Sequence, residues 1–123
     1  AVVNGPGWPT PIAWVDGTTG VKTQVGGALC TTVPADNPMR IVYRALFGCG
    51  PPKDGDWDGP TMLYAIGGTT GLFSEQGQGG AAVMNAGGGL DWGANPRGRD
   101  EVYVHVADQP ALNDRIDRLL SSR

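Results

Sequence analysis

From residue 26 the run GGALCTTV is short, apolar and β-branched, which predicts a strand closed by Pro34. Asp36 then stands as an N-cap with Pro38 in the first turn, and Ile41, Val42, Ala45 and Leu46 recur at helical spacing as far as Gly48. Past the Pro- and Asp-rich loop CGPPKDGDWDGP come three short apolar segments, TMLYAI (61–66), GLFSE (71–75) and GGAAVMN (79–85). Gly67-Gly68 and Gly77 to Gly80 separate them as hairpin turns would. Residues 27–85 therefore read β-α-β-β-β.

A second loop, AGGGLDWGANPRGRD, leads to EVYVHVA (101–107), where strict alternation marks a half-buried strand. Asp108 caps a closing helix whose apolar face is Leu112, Ile116, Leu119 and Leu120. This second unit has its β-α and lacks its β-β-β. The missing strands are supplied at the other end of the chain, by AVV, PIAWV and VKTQV in residues 1–25, broken by NGPGWPTP and DGTTG. Joined across the termini, the second unit also becomes β-α-β-β-β. The expectation is a circularly permuted two-repeat fold, which compact domains tolerate because their termini often lie close together at the surface.

Composition narrows the class. A chain of 123 residues with 40% hydrophobic content buries a core without staples and forms one domain, despite its 21 glycines and 10 prolines. The net charge of -3, with no basic stripe, argues against nucleic acid as a partner. No run approaches the roughly 20 apolar residues of a membrane span, and no basic-then-apolar leader opens the sequence, so a cytoplasmic protein without a membrane partner is expected. Cys30 and Cys49 have no metal spacing; a disulfide between them is one option, and two half-buried thiols in a reducing cytoplasm are the expectation.

Paired β-α-β-β-β modules in a chain of this size resemble the vicinal oxygen chelate superfamily, which includes glyoxalase, bleomycin-resistance proteins and extradiol dioxygenases. ADNPMRIVYRALFG is similar to the family's first-helix signature, and VYVHVADQPALNDRIDRL to the strand and helix opening its second module. PIAWVDGTTGVKTQV resembles the hairpin that closes the family's chain, with Gly17 where a proline is usual. The resemblance runs in the order 26–123 and then 1–25. It implies an α+β fold in which two βαβββ modules, about 26–90 and about 100–123 completed by 1–25, form a cupped mixed sheet with helices outside. It also implies a homodimer.

Family enzymes hold a divalent metal with His, Glu or Gln on the first and last strand of each module. Here the first strand offers Ala28, Leu29 and Cys30, GGAAVMN offers no ligand, and the second module offers Glu101 with Thr23 or Gln24. With one His and only Glu75 and Glu101 as glutamates, no His/Glu set assembles within one chain, so neither metal nor cofactor is expected. No spacing brings Cys30 to His105 as nucleophile and base.

Alternation sets Glu101, Tyr103 and His105 on one face of their strand and Val102, Val104 and Val106 on the other. That polar set faces either plain solvent or, as the resemblance implies, the concave ligand side of the sheet. Trp57 and Trp92, in the two loops, are either plugs over a core edge or walls for a planar ligand, and Trp14 and Tyr64 lie on strands. Asp54, Asp56 and Asp58 lack the downstream Glu of a calcium loop, and the glycines at 77–80 and 87–89 precede no helix that would cradle phosphate. The expected function is metal-free binding of a planar or cationic small molecule by Glu101, Tyr103, His105, Trp14, Tyr64 and Trp92. The alternatives are a glyoxalase-like lyase or isomerase or a dioxygenase, with metal held across a dimer or with His105 as general base, and a structural protein with a vestigial cleft.

Overall fold

Ten elements follow one another along the chain in the computed structural model, which describes residues 10–49, 55–94 and 101–122. They are β1 (Ile12–Val15), α1 (Gly17–Lys22), α2 (Leu29–Thr32), α3 (Pro38–Phe47), α4 (Asp58–Gly67), β2 (Phe73–Gln76), β3 (Gly80–Met84), β4 (Leu90–Ala94), β5 (Glu101–Val106) and α5 (Gln109–Ser121). The class is α+β, with a three-stranded sheet in the order β1-β5-β2 and a two-stranded β3-β4 hairpin. The expected AVV strand and Asp54 lie outside the described residues.

The chain divides into two compact units. One comprises the chain up to Asp16 and Ser74–His105; the other comprises Gly17–Phe73 and the chain from Val106 onward.

The first unit is the β unit. β5 lies between its neighbours, and β1 pairs with it in parallel, placing Ile12 opposite Glu101 and Trp14 opposite Tyr103. Among the described residues, the first strand thus adjoins the last. β3 and β4 pair antiparallel, Ala82 opposite Trp92, around a turn that Asn85 organises: its Oδ1 accepts from Gly87 N at 3.0 Å and Gly89 N at 2.9 Å. β4 was unexpected, because AGGGLDWGA reads as loop. Its glycines serve the turn, and the strand begins only at Leu90. The glycines at 77–80 do not make a hairpin, since β2 and β3 lie in different sheets.

The second unit is the helical one, and here two expected strands are helices and a third is only partly one. GGALCTTV forms α2 because Ala28 O draws the Thr31 and Thr32 hydroxyls as well as their amides, and such side-chain bonding back to the chain closes a helical turn within a β-branched run. TMLYAI lies inside α4. Asp56 Oδ1 accepts Gly59 N at 2.8 Å ahead of it, Pro60 sits in its first turn, and Gly68 ends it at φ 64°. Val21 and Lys22 of VKTQV end α1, buried Thr23 donates its hydroxyl to Thr19 O at 2.8 Å, and Gln24 makes an isolated antiparallel bridge with Gly55. Residues 27–85 therefore run α2-α3-α4-β2-β3, and the expected β-α-β-β-β order does not hold there.

The two expected long helices are present. α5 is capped by Asp108, which accepts Ala111 N at 3.0 Å. The α3 cap is Asn37 rather than Asp36, accepting Met39 N at 2.9 Å and Arg40 N at 3.2 Å, because Pro38 occupies the first helical position and the cap must directly precede it. Val25, Leu29, Val33, Phe73, Leu112 and Ile116 are the buried apolar side chains of this unit, each contributing roughly 1.5–3 kcal/mol. α3 buries none of its residues: Ile41, Val42 and Leu46 are 53%, 48% and 69% exposed. Cys30 and Cys49 form a disulfide that ties α2 to the chain just beyond α3, correcting the expectation of free thiols.

Candidate functional site

The β unit brings five of the six expected site residues together. Glu101 opens β5 opposite β1 and is 2% exposed. Its Oε2 accepts Trp14 Nε1 at 2.8 Å and the Ala82 amide at 3.0 Å, so one carboxylate links β5 to both β1 and β3. A carboxylate out of water needs such donors, and hydrogen bonds to a charged acceptor are the stronger kind. The alternation expected in EVYVHV is thus not one of apolar burial against polar exposure: Glu101 is buried as deeply as Val104.

Beyond Glu101 the same face carries an aromatic row. The Tyr103 ring meets Trp92 edge-on at 5.8 Å and His105 at 4.6 Å. Burial holds the Tyr103 hydroxyl above its ordinary value of 10.0, and the hydrogen bond to Asp16 with that carboxylate's charge adds to the rise. Trp92 lies on β4, and its indole covers Gly77 and Gly80 so closely that a Cβ at either would collide with it. It is a plug over the turn. The sixth residue, Tyr64, belongs to α4 in the helical unit and meets Phe73 edge-on at 5.8 Å. Trp57 in turn caps α4, donating Nε1 to Gly17 O at 3.1 Å over Gly20.

An open cavity lies elsewhere, wholly within the helical unit. A cleft of about 500 Å³ runs between the C-terminal half of α4 and one face of α5. Leu63 and Ile66 from α4, Leu72 from the following loop and Ala111 from α5 supply its apolar lining. Asp114, Arg115 and Arg118 of α5 border it with charge. Ala111, Arg115 and Arg118 share a face because they stand four and three residues apart. Leu112 and Ile116, on a different face, are buried and fix the rotation of the helix. Thr70 completes the rim at φ 39°, the one non-glycine residue at positive φ among those described. Strained backbone of this kind concentrates at binding sites. The volume lies within the range of ligand pockets.

None of these cleft residues was singled out from the sequence. The available signal was the helix punctuation around α4, Asp-Gly-Pro before it and Gly-Gly after it, which turns TMLYAI into a helix and sets Leu63 and Ile66 on one side. No group of three or more His, Cys, Asp or Glu is placed to hold a metal ion among the described residues. No helix among them is long and apolar enough to cross a membrane. No protein-family model matches the chain, and no match was found among curated proteins or solved structures.

Proposed function

We propose that the protein binds a small molecule without a metal, in the cleft between α4 and α5. The observation that carries this is the cleft itself, with apolar side chains of α4, the following loop and α5 along it and the charged side chains of α5 at its border. The reading keeps the sequestering function that the vicinal oxygen chelate resemblance implies and moves the site from the sheet face to the helices. The sheet-face residues are largely committed to one another: Glu101 to Trp14 and Ala82, Trp92 to its glycines, and Tyr103 to Asp16. The Cys30–Cys49 disulfide supports an oxidising compartment as the working environment, rather than the cytoplasm. Homodimerisation belongs to the same proposal, supported by the apolar side chains that α3 exposes.

Amide-shift mapping by NMR against a panel of small neutral apolar compounds tests the site. Perturbations clustered at residues 63–72 and 111–118 are expected. A panel that perturbs neither segment would overturn the reading. A second reading, in which a planar ligand stacks on the half-exposed Tyr103 and His105 or His105 serves as a general base, predicts perturbations at 92 and 101–105 instead.

A further inference from the structure

We infer that the α4–α5 cleft selects a monoanionic amphiphile, a carboxylate carried on a compact apolar body; this rests on the cleft being the binding site. The two halves of such a molecule correspond to the two halves of the lining. Leu63, Ile66, Leu72 and Ala111 form the apolar side, and Ile66 is left 80% exposed. An isoleucine so open to water at the wall of a concave surface gains most from an apolar occupant.

The charged border sets the sign of the headgroup. Arg115 and Arg118 project from the same face of α5 onto the cleft, and neither guanidinium has a hydrogen-bond or ion-pair partner among the described residues. A guanidinium presents its donors in a fork that matches a carboxylate, and two of them three residues apart flank one headgroup. Asp114 is the one acidic group in the lining, so the three charges sum to +1. That balance favours a monoanion over a dianion and repels a cationic head, the reverse of the cationic ligand expected from the sheet-face aromatics. Arg118 lies in the last turn of α5, where helix carbonyls would not attract an anion, and Arg115 at its middle; the side chains must therefore supply the attraction.

The test uses the full chain with its disulfide intact and four probes of eight carbons each: octanoate, octyl phosphate, octanol and octylamine. Calorimetry below micelle-forming concentrations measures affinity, and amide shifts locate each probe. Octanoate is expected to bind at least about tenfold more tightly than octanol, the margin of one charge-assisted pair, with octylamine weakest. Raised salt should weaken octanoate and leave octanol unchanged. In Arg115→Gln/Arg118→Gln, on exposed positions that leave the fold intact, octanoate should fall to the octanol level while octanol keeps its affinity. Equal binding of octanol and octanoate in the unsubstituted protein overturns anion selection and leaves the cleft as a binding site. Tighter binding of octyl phosphate than of octanoate overturns the monoanion assignment. If no probe shifts residues 63–72 and 111–118, the cleft itself is rejected and this inference with it.

Discussion

At the scale of single residues, the most consequential side chain is one that the sequence offered for a ligand and the structure uses within the fold. Glu101 stands out in the sequence as one of two glutamates and as a candidate ligand contact, yet it is a buried acceptor joining three strands. A sequence shows that a carboxylate starts a strand, but not that an indole and an amide will converge on it from residues 87 and 19 positions away. Glu101→Gln retains the shape and replaces one acceptor oxygen with a donor, so urea unfolding should show a loss of about 1–3 kcal/mol. Tyr103 carries the other residue-scale expectation. Its phenol is held protonated by burial and by Asp16, so its proton is bound more tightly in the folded chain than in the unfolded one. The resulting stability is fully present below pH 10 and is lost as pH rises through the folded value. Alkaline unfolding followed by circular dichroism should accordingly be shallower in Tyr103→Phe.

At the scale of elements, legibility followed the strength of the local signals. The α5 cap at Asp108 and the existence of β5 were plain, since each is short-range chemistry written within a few residues. α2 and α4 read as strands for one shared reason: β-branched or apolar runs of four to eight residues do not distinguish strand from helix by period. What decided them were side-chain bonds to backbone at Ala28 and Asp56, which compete locally with strand formation. The disulfide belongs to this scale too. It closes a separation of 19 residues around α3, a helix that buries none of its own side chains. Replacing both cysteines by serine should cost about 3 kcal/mol by loop entropy. The amides of α3 should then lose hydrogen-exchange protection first, while those of β5 keep theirs.

For the molecule as a whole, the α+β class was legible and the path of the chain was not. The resemblance led to a chain of repeated modules, whereas the described residues place strands and helices in two units that the chain enters twice each. The cleft followed from that path, being built from α4 and α5, elements about fifty positions apart, and so had no local trace in the sequence. Self-association is the expectation that belongs here. If α3 forms the dimer contact, sedimentation should find a dimer for the unsubstituted chain and a monomer for Leu46→Glu, with unchanged circular dichroism. The pairing of β1 with β5 reaches further than architecture. Ile12 has no partner on β5 until Glu101 exists, 89 positions later, so during synthesis β1 must wait for it, while Cys30 and Cys49 are available to each other long before. Loop-closure entropy makes such distant pairing slow. The order of events on the ribosome is thereby set: the helical segment closed by the disulfide comes first, and β1 pairs only once β5 has been made, with an unpaired strand edge exposed in the interval.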